Sequence, residues 1–308
     1  MSFAFFFPGQ GSQSLNMMNG FDGQTVIKAT FDEASAVLGQ DLWAMINGEH
    51  AETINETVNT QPLMLAAGIA TYRAYLEAGG KEPSVMAGHS LGEYTALVVA
   101  GSLSFADALK LVRLRAELMQ SAVPQGTGSM AAILGLDDDA VRAVCAEAAQ
   151  GEVVEAVNFN SPGQVVIAGS IAAVERAIET AKAKGAKRAL PLPVSVPSHC
   201  LLMKPAAEKL AEALKTVDIQ PSKIPVIHNA DVASYNNAEQ IKDALVRQLY
   251  SPVRWTETVN ALVAQGIIQS AECGPGKVLA GLAKRINKEA SCSALTNTEQ
   301  VSAFIAAH

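Results

Sequence analysis

Gly88-His89-Ser90-Leu91-Gly92 is the segment whose residue types and spacing could do chemistry. It fits the Gly-x-Ser-x-Gly nucleophile elbow, in which a serine sits on a sharp strand-to-helix turn with its hydroxyl exposed. Two small glycines let neighbouring backbone pass close to the serine. Five residues with two fixed glycines recur by chance, so the flanks give the pattern its weight. Pro83-Ser84-Val85-Met86-Ala87 reads as a short buried strand, and Glu93 to Ala100 reads as the start of a helix. The turn would put Ser90 Oγ at a helix N-terminus, where partial positive charge favours developing negative charge. The chemistry this suggests is nucleophilic attack on an acyl group.

A serine nucleophile needs a base, usually histidine. The chain has five histidines: His50, His89, His199, His228 and His308. His308 ends the sequence and is expected to be mobile, and His50 lies in a polar surface stretch. His89 adjoins Ser90, but adjacent side chains on a sharp turn diverge, so it reads as a residue that lines or supports the pocket. His199 lies at an expected junction between two units, a common place for active sites. That favours His199 over His228 as the base and leaves His228 open as a pocket or core residue. Acyl transfer also needs donors for an oxyanion. The loop Phe7-Pro8-Gly9-Gln10-Gly11-Ser12-Gln13 follows the first strand at the sheet edge where open α/β folds bind ligands, so one of its N–H groups could face Ser90. It lacks the Gly-Lys-Ser/Thr ending of a phosphate loop. Arg113 and Arg115 point different ways on one helix, so at most one faces a pocket. A buried arginine there would seek a carboxylate.

The elements that must hold these residues alternate. Phe3 to Phe7 reads as a fully buried strand, Val26 to Leu38 as helix, and Gln61 to Ala78 as a longer helix with Pro62 in its first turn. Ser104 to about Ser121 is a helix opened by Ser-x-x-Asp, a variant of the capping box. Alternating strands and helices imply a parallel sheet covered on both faces. From Ser129 the order changes to strand, helix (Asp137 to Ala149), strand (Glu152 to Phe159), turn (Asn160 to Gly163), strand (Gln164 to Ala168), helix (Ile171 to Lys184) and strand (Ala186 to Val194). This β-α-β-β-α-β order is the ferredoxin-like arrangement. The expectation is a large α/β unit, residues 1–125 and 196–308, with a parallel sheet like that of a hydrolase. A ferredoxin-like unit, residues 126–195, is inserted into it. The large unit resumes with a helix from Leu202 to Thr216, a strand from Ile224 to Asn229, helices over Ala238 to Tyr250 and Trp255 to Gln265, and a strand from Ile267 to Cys273.

A chain of 308 residues can bury a large core, and 17% charged residues with 49% hydrophobic residues is far from disorder. The net charge of −7 and the lack of a basic run argue against nucleic-acid binding. Cys145, Cys200, Cys273 and Cys292 are widely spaced and form no metal-binding pattern, so free thiols and no metal are expected. No apolar run approaches the roughly 20 residues that span a bilayer, and Phe3 to Phe7 is too short for a signal core. A cytoplasmic protein with no membrane contact, and a monomer, are expected.

Taken together, these segments resemble the malonyl-CoA:acyl carrier protein transacylases of fatty-acid synthesis over nearly the whole chain. The resemblance rests on the Phe7 to Gln13 loop, Thr60-Gln61-Pro62, Gly88 to Glu93, Arg115 with Met119-Gln120, and Gly126-Thr127-Gly128. It continues through Val196-Pro197-Ser198-His199, Gln248 to Trp255 and Gly274 to Leu279. It implies Ser90 as nucleophile and His199 as general base and acid, with His199 oriented by the backbone carbonyl of Gln248. It implies an oxyanion hole from the N–H groups of Gln10 and Leu91, and Arg115 as the holder of the malonyl carboxylate. Asn158 and His89 would line the pocket. The partners implied are malonyl-CoA, as substrate and not cofactor, and acyl carrier protein. That carrier is acidic, so Lys187 and Arg188 are candidate docking residues. Ser198 stands where many polyketide relatives carry a phenylalanine associated with choice of the malonyl α-substituent. A serine hydrolase or thioesterase, and a free-standing acyltransferase of a polyketide pathway, are the competing readings. A non-catalytic carrier-binding scaffold is a third.

Overall fold

The computed structural model describes residues 2–194 and 196–308. Met1 and Ser195, at the start of one expected unit and the end of the other, lie outside the described residues. Among those described, the chain is a mixed α/β fold with a parallel-sheet core and a separate antiparallel sheet.

The strands in chain order are β1 (Phe3–Phe7), β2 (Val85–Gly88), β3 (Gly128–Leu134), β4 (Val154–Ser161), β5 (Gln164–Ser170), β6 (Arg188–Pro191), β7 (Val226–His228), β8 (Ala233–Ser234), β9 (Gln269–Cys273) and β10 (Ser291–Leu295). The core sheet runs β10-β9-β1-β2-β7-β8, and only the β7–β8 pair is antiparallel. All five residues of β1 are buried because helices cover both faces. Side chains alternate between faces. Phe3, Phe5 and Phe7 join one apolar cluster with the helix Thr57–Glu77, while Ala4 and Phe6 join another around Trp255.

The long helix begins four residues earlier than expected, at Thr57, so Pro62 lies in its second turn. The preceding turn is stitched independently of Pro62. Glu56 O accepts from the N–H groups of Asn59 and Thr60, both at 2.8 Å, and Thr60 Oγ1 donates to Ile54 O at 2.6 Å. The helix Phe105–Ser121 does start at Ser104, whose Oγ accepts from the Asp107 N–H at 3.0 Å. The shorter aspartate side chain accepts from the Ser104 hydroxyl at 2.7 Å, where a glutamate would reach the backbone N–H.

The second sheet runs β4-β5-β3-β6, entirely antiparallel, with the helices Asp138–Ala149 and Ile171–Ala183 in the expected order. Its turn is tighter than expected. Asn160 and Ser161 belong to β4, and only Pro162 and Gly163 (φ 73°) connect it to β5. Strand β6 ends at Pro191, short of Val194, because Pro191 and Pro193 cannot donate to the ladder. One sheet face packs on these two helices. The other, with Met130 and Val166, meets Cys200. Val253 bonds to β4, donating to Val157 O at 2.8 Å and accepting from Phe159 N at 3.0 Å.

Several elements not anticipated from the sequence emerge here: the short helices Leu42–Ile46 and Ala51–Asn55, the strand β10, and the helices Val278–Ile286 and Thr298–Ala307. His308, expected to be mobile, stacks on Phe304 at 4.2 Å between ring centroids. No described helix is long and apolar enough to cross a membrane.

Candidate active site

The elbow forms because three backbone segments nearly touch. A Cβ at Gly88 would lie 1.9 Å from the Gly92 carbonyl carbon, and one at Gly92 would lie 2.0 Å from Phe7 O. His89 N donates to Phe7 O at 2.9 Å, which fastens the turn to the end of β1. Between the glycines, Ser90 takes a left-handed backbone (φ 52°), a conformation that costs about 1–3 kcal/mol and persists only where surroundings enforce it.

Ser90 Oγ lies 2.8 Å from His199 Nε2. His199 Nδ1 lies 2.7 Å from the backbone oxygen of Gln248. A carbonyl can only accept, so Nδ1 carries the proton and Nε2 presents its lone pair to the serine hydroxyl. His199 also has a left-handed backbone (φ 67°), with its N–H on Leu249 O at 3.0 Å. Burial, and next the nearby Arg115 guanidinium, hold the imidazole's pKa down to about 3, so it is neutral and basic in form.

Arg115 is buried at 1% exposure and donates to Ser90 Oγ from Nη2 at 3.1 Å. Its other partners are the neutral oxygens Gln61 Oε1 at 2.8 Å and Gln248 Oε1 at 2.9 Å. The Tyr94 ring lies 5.4 Å from its Cζ, and Nε has no partner. Arg115 forms no salt bridge with any described carboxylate. Burial pushes its pKa down. An unpaired buried cation is costly, so an arrangement of this kind can receive an anion. Arg113 turns away and donates to Gln40.

A cavity of about 430 Å³ opens over these groups, a size suited to a small-molecule ligand. Gln10, Leu91, His89, Asn158 and Ser198 all line it. The N–H groups of Gln10 and Leu91 make no hydrogen bond among the described residues. His89 diverges from the serine as expected, with Nε2 2.8 Å from Asn160 Oδ1, and burial lowers its pKa. Asn158 Oδ1 is buried without a partner. The remaining histidines are elsewhere. His228 is buried against Glu93, with Nδ1 2.7 Å from Oε1, and His50 is exposed beside Glu52. No cluster of three metal-ligating side chains occurs among the described residues.

Sequence reasoning missed Gln61 and the Gln248 side chain as partners of Arg115, and Asn229 behind the elbow. The available signal for Asn229 was its place just past the C-terminal end of β7, beside the strand that delivers Ser90.

A serine–histidine pair on an elbow, with N–H groups unpaired among the described residues and a buried cation beside it, is an arrangement able to carry out acyl transfer. In keeping with this, residues 4–297 match the family model described as acyl transferase domain. The chain belongs to that family and, within it, to the malonyl-CoA:acyl carrier protein transacylases. It is 56% identical over 304 residues to the malonyl CoA-acyl carrier protein transacylase of Escherichia coli K12, covering 98% of each chain. The crystal structure of an acyl-carrier-protein S-malonyltransferase from Burkholderia pseudomallei is 57% identical, with a TM-score of 0.98 over 99% of this chain and 100% of that one. A malonyl-transacylase solved in complex with its type II polyketide acyl-carrier protein is 54% identical, with a TM-score of 0.98 over 100% of both chains.

Proposed function

We propose that the chain transfers the malonyl group of malonyl-CoA to the phosphopantetheine thiol of acyl carrier protein, through a malonyl ester on Ser90, in fatty-acid synthesis. The observation that carries this reading is the buried Arg115 guanidinium, without a carboxylate, bonded to the same serine oxygen that His199 contacts. A dicarboxylic thioester supplies the missing anion.

The malonyl carboxylate pairs with Arg115 and draws Nη2 off Ser90 Oγ. This frees the hydroxyl from a donor that would weaken it as a nucleophile. Ser90 Oγ attacks the thioester carbonyl while His199 Nε2 takes its proton. The resulting oxyanion is received by the N–H groups of Gln10 and Leu91, an effect of about 2.7–4 kcal/mol per donor in comparable sites. The C–S bond breaks, CoA leaves with the proton from His199, and the serine carries the malonyl ester. The carrier's thiol then gives its proton to His199, attacks the ester and regenerates Ser90. The Gln248 carbonyl serves the orienting role that a carboxylate fills in other triads. His89 and Asn158 line the path of the thioester and its pantetheine arm.

Residues 1–125 and 196–308 act as a hydrolase-like catalytic unit, and residues 126–195 as a ferredoxin-like cover. The strand order β4-β5-β3-β6 and the separate apolar core of that sheet support this division. Lys187 and Arg188 are exposed at β6, the edge strand whose continuation, Leu192 to Val194, lines the cavity, and they dock the acidic carrier. Malonyl-CoA is a substrate, and the reaction draws on no cofactor. The cytoplasm is the assigned compartment, in keeping with four free cysteines.

The relative bound to a polyketide carrier favours a second reading, service to a polyketide pathway by the same chemistry. The test is intact-protein mass after mixing with malonyl-CoA, then after adding carrier. A malonyl adduct that moves to the carrier supports transacylation. An adduct lost equally fast to water supports a hydrolase, and preference for a polyketide carrier over a fatty-acid carrier supports the second reading.

A further inference from the structure

Ser90 is held by more than the groups that would react with it. Its N–H donates to Asn229 Oδ1 at 2.7 Å, and its C=O accepts from Gln248 Nε2 at 2.9 Å. Asn229 Nδ2 donates to Gly88 O at 2.6 Å. The orientation of this carboxamide is fixed by its partners, since a peptide N–H only donates and a peptide C=O only accepts. One side chain therefore bridges residues 88 and 90, the two flanks of His89, and closes the turn that forces Ser90 into its left-handed conformation.

Asn229 is itself immobilised. It is 1% exposed and does not line the cavity. Its N–H donates to Glu93 Oε2 at 2.8 Å, and its C=O accepts from Arg254 N at 3.2 Å. Glu93, fully buried in the first turn of the helix Gly92–Val99, uses its other oxygen to accept from His228 Nδ1 at 2.7 Å. The second Glu–His pair of the molecule thus faces the back of the elbow, away from the serine hydroxyl. It links the end of β7 to the helix that follows the nucleophile.

We propose that Asn229, held by the Glu93–His228 pair, is a positioning residue that sets the elbow geometry bringing Ser90 Oγ into line with His199. The inference rests on the reading of Ser90 as nucleophile. Backbone sterics at a non-glycine residue oppose this conformation, and the glycines at 88 and 92 permit it without enforcing it. The carboxamide bridge is the element that enforces it. Misplacement of a reacting atom by about 1 Å lowers rate about 100-fold.

The experiment is single-turnover malonylation of the full chain, with reactive serines counted by adduct mass, for wild type, Asn229→Ala, Asn229→Asp and Ser90→Ala. In Asn229→Ala the malonylation rate is expected to fall about 100-fold per reactive serine. KM for malonyl-CoA is expected to stay unchanged, because Asn229 touches no cavity surface. A purely structural role would lower the melting temperature and leave the rate per folded molecule intact. If Asn229→Ala fails to fold, Asn229→Asp serves. It has the same shape but sets an oxygen against Gly88 O, and the same slowing is expected. A folded variant of either kind reacting at the wild-type rate overturns the inference. Malonylation of Ser90→Ala would instead overturn the nucleophile reading beneath it.

Discussion

Arg115 Nη2 donates to Ser90 Oγ across 3.1 Å, so the resting site pairs its one buried cation with the oxygen of the proposed nucleophile. On the proposed function a substrate carboxylate would compete for that donor, coupling recognition of the malonyl group to release of the hydroxyl. Arg115→Ala should therefore lower kcat/KM for malonyl-CoA about 10- to 100-fold, the span expected for a charged hydrogen bond. Acetyl-CoA, which has no free carboxylate, should lose far less. Steady-state assays with both thioesters check this, and equal losses would make Arg115 a structural residue.

The elbow tolerates no side chain at Gly92, where a Cβ would fall 2.0 Å from the backbone oxygen of Phe7. Gly92→Ala should push the β1 loop, with Gln10, away from Ser90 and destabilise the fold by about 1–3 kcal/mol. Gly281, within the helix Val278–Ile286, has nothing within 4 Å of an added Cβ. Gly281→Ala should raise stability by about 0.5–1 kcal/mol. Thermal unfolding of both variants gives the comparison, and shifts of the same sign would contradict it.

His199 stays neutral in the folded chain down to a pKa of about 3, against 6.5 in its ordinary state. Between those values the unfolded chain binds a proton that the folded chain does not, so this residue lowers stability as pH falls through that window. Urea midpoints of wild type and His199→Gln at pH 7 and pH 4.5 should show a larger acid loss in wild type, and equal losses would contradict the assignment. The acid limb of kcat/KM, which reports the free enzyme, should likewise lie well below pH 6.5.

Lys187 and Arg188 form no ion pair among the described residues and face solvent at the start of the edge strand β6, whose other end leads to the cavity-lining Leu192. Reversing both charges should raise KM for acyl carrier protein by about fivefold or more, as expected for a pair of surface charge contacts. The malonyl-CoA half-reaction should be unaffected. An unchanged carrier KM would move the docking surface elsewhere.

The elbow and the β-α-β-β-α-β order were legible in the sequence because both are local: glycine spacing and periodicity report nearby backbone. The pairing of Ser90 with His199 spans 109 residues, and spacing alone favoured His199 only by its place at a junction. Family resemblance, and not local pattern, pointed to Arg115 and the Gln248 carbonyl. Gln61 was illegible as a partner of Arg115 because that role is set by which side chains the fold brings together, and Asn229 was signalled only by its place past the end of β7. Pro62 misled because a proline usually marks a first turn. Here bonds from Asn59 and Thr60 to Glu56 secure the helix upstream of it. The helix Val278–Ile286 was legible and was overlooked, since Leu279, Leu282, Ala283 and Ile286 recur at helical spacing, whereas β10 buries only Leu295 and gave little pattern to read.

The central claim is that the acyl group rests on Ser90. Peptide mapping by mass spectrometry, after rapid mixing of wild type and Ser90→Ala with malonyl-CoA, tests it most directly. The expected result is one malonyl adduct on the wild-type peptide containing Gly88 to Glu93 and none in the variant. An adduct on another residue, or one that persists in Ser90→Ala, would contradict it.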